Sequence, residues 1–208
     1  MRSATFAMLA AAATALAASA AAGADRSGVG VAQSPVAAAT SQTSAAAADA
    51  DRAARVARGE YLVTALGCGD CHTPKKSGPH GPEFDSSRYL SGHPQAIAMP
   101  APPAAAGPWT WNGAATGTAF AGPWGISYAA NLTPDASTGL VGWSEERFIE
   151  TMRTGRHLGV GRPLLPPMPW QAFGHFDDED LRSMFDYLQT IPPVKNQVPA
   201  AAPAAPPR

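Results

Sequence analysis

The chain of 208 residues has little cysteine, no cluster of basic residues and no strongly apolar run long enough for a confident membrane span. Its two cysteines lie three positions apart, so they cannot close a long loop, and a disulfide framework is excluded. The formal net charge is -1 and no basic stripe exists, so nucleic acid is not an expected partner. What the sequence does contain is alanine, proline and glycine, unevenly distributed.

Both ends of the chain differ in composition from its middle. Residues 1–24 have a basic start at Arg2, a weakly apolar alanine-rich run and small residues at the end, which predicts a cleaved export signal. Residues 25–50 and 199–208 lack large apolar side chains, so we expect a disordered Ala/Ser-rich linker and a disordered Pro/Ala tail. One folded domain over 51–198 remains. A membrane contact is expected only if the signal segment is retained.

Three segments of the domain have helical patterns of apolar residues and capping signals. They run from about Arg52 to Leu66, from Ser144 to Gly155, and from Asp177 to the prolines at 192 and 193. Between the first two helices, residues 73–135 are interrupted by proline and glycine and show no clean strand alternation. Loops of that length inside a compact domain usually have a function or wrap a bulky group.

One motif carries a specific chemical signal. Cys68 and Cys71 are followed directly by His72, in the C-x-x-C-H pattern that is a sequence cue for covalent attachment of c-type haem. On a helix, residues three and four apart share a face, so two thiols can reach the two vinyl groups of one porphyrin while His72 approaches the iron. Gly67 and Gly69 leave room for the ring edge.

Three other interpretations of the motif compete with haem attachment. A thioredoxin-like dithiol needs a low-pKa thiol within a βαβ pattern, and no strand is predicted before Cys68. Zinc needs four ligands, and the additional candidates His80 and His93 lie in predicted loops. A local disulfide with His72 as a bystander is the third. Haem is the favoured interpretation, because the full five-residue motif occurs together with an export signal.

The second axial ligand is predicted to be Met168. It lies in the proline-rich segment 161–170, whose fixed backbone can hold a thioether against a metal with little entropy left to lose. Met99 is also followed by proline but lies in a softer Ala-Pro stretch, and His157 or His175 is the other alternative. A Met/His pair raises the reduction potential relative to two nitrogen ligands and leaves no open coordination position.

These residues resemble the mono-haem class I cytochromes c, in particular the single-haem cytochromes associated with bacterial periplasmic dehydrogenases. The resemblance covers most of residues 51–198. The matching segments are Gly59 to Lys75, Asn131 to Asp135, Gly142 to Ser144, Arg153 to Trp170 and Asp180 to Leu188.

The resemblance implies a mainly α, cytochrome c-like fold around one covalent haem c, with long Pro/Gly/Trp-rich loops. It implies that His72 and Met168 are axial ligands, and that the first and last helices cross near Gly59, Tyr61, Leu62, Leu181, Tyr187 and Leu188. Residues 94–124 look longer than the usual connection of the family, so no role is implied for them.

The function expected from the resemblance is electron transfer in the periplasm, without an enzymatic activity of its own. The redox partners would be a dehydrogenase donor and a cytochrome or oxidase acceptor. Two alternatives stay open: a fixed cytochrome subunit of a multi-component oxidoreductase, and a haem protein with an open site for sensing or catalysis.

Several aromatic and basic residues have two interpretations each. Trp170 could donate a hydrogen bond to a haem propionate or could pack in the core. Arg153, Arg156 and Arg162 could pair with propionates or lie on a solvated face. A docking surface for a partner, or an aromatic cover over the haem, could be formed by Trp109, Trp111 and Trp124.

Overall fold

The computed structural model describes residues 35–101 and 108–204, with side chains from residue 44 onward. The chain divides into two units, Met1–Thr40 and Ser41–Arg208. Of the first unit, the structure describes only residues 35–40, the beginning of one helix.

Helices form the core and short strands lie between them. The α-helices are α1 (Pro35–Ala65), α2 (Cys68–His72), α3 (Glu145–Thr154), α4 (Trp170–Phe173) and α5 (Asp178–Leu188), and 3-10 turns cover Ser86–Arg88 and His157–Gly159. The strands are β1 (Lys75–Gly78), β2 (Gly81–Phe84), β3 (Asn112–Gly113), β4 (Ala119–Gly122) and β5 (Gly125–Tyr128). Roughly 37% of the described residues are α-helical.

Helix α1 is longer than the sequence predicted. It begins at Pro35 rather than near Arg52, so much of the linker expected over 25–50 is helical. Alanine is the strongest helix former and proline is tolerated in a first helical turn, so the segment is helical without apolar side chains to bury. Side chains 44–54 are exposed, as that composition requires. None of the helices in the described residues is long and apolar enough to cross a membrane. The predicted signal, residues 1–24, lies outside the described residues.

Helices α1 and α5 cross in close contact at Gly59. A Cβ atom added to this buried glycine would lie 1.8 Å from the carbonyl oxygen of Ser183 on α5, so the approach requires glycine. Two ion pairs join the same helices, Arg55 with Asp186 at 2.7 Å and Arg58 with Asp180 at 2.8 Å. The crossing implied by the resemblance is therefore present.

Most of the residues implied at the crossing are buried. Leu62, Leu181 and Leu188 belong to the core, and Tyr187 packs against it partly buried. Tyr61 differs, since it is 62% exposed and its ring lies beneath the Arg58 guanidinium at 5.6 Å. The full core cluster comprises Leu62, Val63, Leu90, Leu140, Phe148, Met152, Phe173, Leu181, Met184, Phe185, Leu188 and Ile191.

Helix α3 has the ends that its sequence predicts. The Ser144 hydroxyl accepts a hydrogen bond from the amide of Arg147 at 3.3 Å, and Gly155 ends the helix with a φ of 63°. The apolar face packs on α5, where the rings of Phe148 and Phe185 lie 5.5 Å apart. Helices α1, α3 and α5 thus enclose one core.

Residues 73–135 are not only loops. They contain the five strands of the described residues, arranged as an antiparallel hairpin of β1 with β2 and a three-stranded antiparallel sheet in the order β3-β4-β5. Strands of two to four residues are too short to show a clear alternation. The core is helical, but this segment adds two small sheets, so the expected mainly α fold class is confirmed only in part.

The chain after α5 is also more ordered than predicted. Ala202, within the expected tail 199–208, exchanges backbone hydrogen bonds with Ile126 at 2.8 and 3.0 Å, which extends the sheet beyond β5. Asn196 is fully buried among backbone groups. Composition predicted disorder for this tail because it lacks large apolar side chains. The hydrogen bonds of Ala202 use backbone atoms, which need no apolar side chain. Residues 205–208 lie outside the described residues.

Candidate haem site

The cysteine motif forms the short helix α2, directly after α1. Gly67, with a φ of 68°, provides the turn between the two helices. Helix α2 contains Cys68, Cys71 and His72, so both thiols and the imidazole project from one and a half helical turns. Both cysteines are free and partly buried, while His72 is buried at 8% exposure.

The environment of the thiols argues against redox-active cysteine chemistry. Burial raises the pKa of Cys68 to about 11 and also raises the pKa of Cys71. A thioredoxin-like site needs the opposite shift and a preceding strand, whereas α1 precedes this motif. The two sulfurs are not joined in a disulfide. Within the described ranges, no group of three or more His, Cys, Asp or Glu side chains could hold a metal ion.

The imidazole of His72 is oriented by a backbone carbonyl. Its Nδ1 lies 2.8 Å from the carbonyl oxygen of Ala130, which can only accept, so Nδ1 carries the proton. The neutral ring then has its lone pair on Nε2, the form in which histidine binds a metal. Burial lowers the pKa of His72, which further favours the neutral ring.

Met168 is partly buried against the core cluster, as is Cys68. The segment that carries it is attached at several points: Leu164 donates its amide to Gly155 at 2.8 Å, and the buried Ser127 hydroxyl of β5 donates to the carbonyl of Pro166 at 2.6 Å. A Cβ added to Gly155 would lie 2.2 Å from the Trp170 ring, so that indole packs directly on the end of α3. We call residues 161–170 the methionine strap.

The alternative sixth ligands have other surroundings. His175 is exposed, and His157 packs edge-on against Trp143 with ring centroids 5.0 Å apart. Met99 is partly buried in coil, close to residues 102–107, which are outside the described ranges. Met168 is the candidate that combines contact with the core and an attached backbone.

The remaining predicted residues have ordinary partners or lie on the surface. Arg153 bonds to Asp178 and to the carbonyl of Gly174, and Arg156 donates to the carbonyl of Gly161 at 3.1 Å. Trp170 packs on α3. Trp124, which follows β4, is partly buried. The exposed positions are Arg162, Trp109 (73% exposed) and Trp111 (45% exposed).

Sequence reasoning missed the residues that surround His72. The carbonyl of Ala130 carries no side-chain signal, although the adjacent Asn131-Leu132-Thr133-Pro134-Asp135 motif marked its neighbourhood. Ser127 and Asn196 were also missed, because a polar residue in a loop-like sequence gives no indication that it is buried.

The donor set fits a covalent c-type haem. It offers two free, protonated thiols on one helix, an imidazole whose Nε2 is free to bind a metal, and a thioether that packs, like Cys68, against the core cluster. This chemistry matches thioether attachment with one nitrogen and one sulfur axial ligand.

Comparison with known proteins supports the cytochrome c class. The chain is 31% identical over 142 residues to the cytochrome c subunit of the quinone alcohol dehydrogenase of Gluconacetobacter polyoxogenes, covering 67% of this chain and 25% of that protein. It is 28% identical over 150 residues to the fructose dehydrogenase cytochrome subunit of Gluconobacter japonicus, covering 69% and 24%. It is also 29% identical over 135 residues to the gluconate 2-dehydrogenase cytochrome c subunit of Pantoea cypripedii, covering 65% and 23%. No protein-family model matches.

The predicted resemblance to cytochrome c is therefore confirmed. More particularly, the chain is a relative of the cytochrome c subunits of dehydrogenases. It spans about a quarter of the length of those cytochrome subunits.

Proposed function

We propose that this protein is an electron carrier that holds one haem c through Cys68 and Cys71, with His72 and Met168 as axial ligands. The observation that carries the proposal is helix α2, where two free thiols precede a buried histidine whose Nδ1 is bonded to the Ala130 carbonyl. When bound, the haem supplies a one-electron change at its iron.

The protein's own groups would have distinct roles. The two thiols, kept protonated by burial, are the groups that form thioether bonds. The Ala130 carbonyl holds the proton on Nδ1 of His72 and fixes the ring orientation. The methionine strap holds the Met168 sulfur, and a sulfur ligand favours the reduced state relative to a second nitrogen. If His72 and Met168 both hold the iron, no position is left for a substrate, and the site would only transfer electrons.

The partner proposed as donor is a dehydrogenase, since the relatives are named as cytochrome subunits of dehydrogenases. Their names favour the form in which this chain is a fixed subunit of a multi-component oxidoreductase over a freely diffusing carrier. The acceptor would be another cytochrome or an oxidase. The export signal predicted over 1–24 supports a periplasmic location, the compartment in which such complexes would meet the respiratory chain.

The cofactor and its ligands can be tested by absorption spectroscopy. The protein is produced in bacteria able to attach haem c, as wild type and as the Cys68→Ser/Cys71→Ser, Met168→Ala and Met99→Ala variants. We expect a haem stain on a denaturing gel for all except the double cysteine variant. The weak sulfur-to-iron band in the far red should be absent from Met168→Ala alone.

Specific outcomes would contradict the proposal. A colourless wild-type protein would show that no haem is bound. Loss of the far-red band from Met99→Ala, and not from Met168→Ala, would identify Met99 as the sixth ligand. Rapid carbon monoxide binding by the reduced wild type would support an open site for sensing or catalysis. Purification from the native membrane and soluble fractions separates a fixed subunit, which co-purifies with a dehydrogenase, from a free carrier.

A further inference from the structure

The peptide that orients His72 is held by a neighbouring segment, residues 90–93. This segment lies between the end of α2 and residues 129–132, and it hydrogen bonds to both sides. The bonds run from the amide of Leu90 to the Thr73 hydroxyl (3.1 Å), from Gly92 to the His72 carbonyl (2.7 Å), from His93 to the Ala129 carbonyl (3.0 Å) and from Leu132 to the Leu90 carbonyl (2.9 Å). The segment thus joins the proposed ligand helix to its orienting carbonyl.

Gly92 is the point of closest approach. Its φ is +76°, and an added Cβ would lie 2.5 Å from the Ala129 carbonyl oxygen and 2.6 Å from the carbonyl carbon and oxygen of Ala130. The neighbouring atoms are backbone and cannot swing aside. Because Ala130 is the residue whose oxygen bonds to His72, any bulk at Gly92 must displace that oxygen.

Asn196 fixes both sides of Gly92. Its side chain is fully buried, and Nδ2 donates to the carbonyls of Ser91 at 2.7 Å and His93 at 2.9 Å. Its Oδ1 accepts from Arg88 and from the amide of Gln95, both at 2.9 Å. All four hydrogen-bonding positions of the amide plane are engaged with the loop that contains Gly92.

We propose that Gly92 and Asn196 are positioning residues for His72: together they hold the Ala130 carbonyl at hydrogen-bonding distance from Nδ1 and thereby set the reduction potential of the site. The inference rests on the proposed function, because it takes His72 as the iron ligand. A carbonyl that accepts the Nδ1 proton makes the imidazole a more basic ligand. A more basic ligand stabilises the oxidised iron, so weakening this hydrogen bond raises the potential.

Gly92→Ala tests the contact, with Gly81→Ala as the matched control. Both glycines have positive φ values, +76° and +120°, so both substitutions strain the backbone, but an added Cβ at Gly81 meets nothing within 4 Å. In the holoprotein we expect Gly92→Ala to shift its redox equilibrium against a common mediator several-fold toward the reduced form. Gly81→Ala should match the wild type.

Asn196→Ala removes the hydrogen bonds without adding bulk or charge. The methyl group can neither donate nor accept, so the carbonyls of Ser91 and His93 are released. We expect a shift of the same direction as in Gly92→Ala, and faster solvent exchange of the His72 Nδ1 proton in the NMR spectrum of the reduced holoprotein. A merely structural role would lower stability without moving either readout. Asn196→Ser replaces this variant if it does not mature.

The outcomes separate this inference from the proposed function. A wild type without haem defeats the proposed function before any variant is compared. Haem-containing variants of Gly92 and Asn196 that keep the wild-type redox equilibrium and the wild-type proton exchange overturn the positioning role alone.

Discussion

Gly59→Ala is the substitution that tests the fold most directly. In a free helix this change is favourable by about 1 kcal/mol, because glycine is a poor helix former. Here the added methyl group would lie 1.8 Å from the Ser183 carbonyl oxygen and 2.8 Å from Cβ of Tyr187. Both atoms belong to α5 and neither is the end of a flexible side chain, so α1 and α5 must separate.

The magnitude follows from the distance. An ordinary contact begins near 3.4 Å, so the helices would have to move apart by about 1.6 Å at this point. Overpacking of this kind typically costs ~1–3 kcal/mol, and separation would also loosen the contacts of Leu62 and Leu181 in the core. Because the clash is with backbone, the upper part of that range applies, ~2–3 kcal/mol. Subtracting the helix-propensity gain of about 1 kcal/mol leaves a net loss of ~1–2 kcal/mol, which corresponds to a melting temperature lower by ~2–8 °C.

The measurement is thermal unfolding of the holoprotein followed by circular dichroism. Gly142→Ala is the control, since its added Cβ meets nothing within 4 Å, and it should change stability by less than about 0.5 kcal/mol. If Gly59→Ala melts at or above the wild-type temperature while remaining folded, helices α1 and α5 do not approach at Gly59 and the crossing is refuted.

Two further substitutions have defined expectations. Ser127→Ala removes the 2.6 Å hydrogen bond to Pro166, so the far-red sulfur-to-iron band should disappear at a lower denaturant concentration than in wild type; an unchanged midpoint would show that this bond does not support the methionine strap. Asp135 accepts hydrogen bonds from Thr138 and Ser137, which lower its pKa from 3.8 to about 2. Its carboxylate therefore stabilises the fold above pH 4 and loses that effect as the pH falls toward 2, so Asp135→Asn should have a lower urea midpoint than wild type at pH 7 and an equal one near pH 2.

The sequence predicted the parts of this fold that local patterns specify. The caps at Ser144 and Gly155 and the apolar spacing of Leu181 and Leu188 are short-range signals, and the structure has helices at those places. The ligand candidates on α2 followed from a five-residue motif. In each case the information lies within one or two helical turns, where side-chain chemistry dictates backbone geometry.

The parts that were missed depend either on intrinsic helix propensity or on backbone atoms distant in sequence. The alanine-rich beginning of α1 is helical by intrinsic propensity, although it has no apolar face to bury. The two-residue strand β3 exists because it pairs with β4, and Ala202 is ordered because it pairs with Ile126. Hydropathy cannot report such pairings, since the bonded groups are the same in every residue.

The surroundings of His72 show why this limit matters for function. The cofactor motif consists of side chains, but the atom that would tune the reduction potential is the carbonyl oxygen of Ala130, 58 residues away from His72. That oxygen keeps its position because Gly92 has no side chain to displace it and because the Asn196 amide bonds to the residues on both sides of Gly92. A substitution at Asn196 can therefore alter the proposed redox site without touching a ligand. Any account of this protein based on Cys68, Cys71 and His72 alone would attribute such an effect to misfolding.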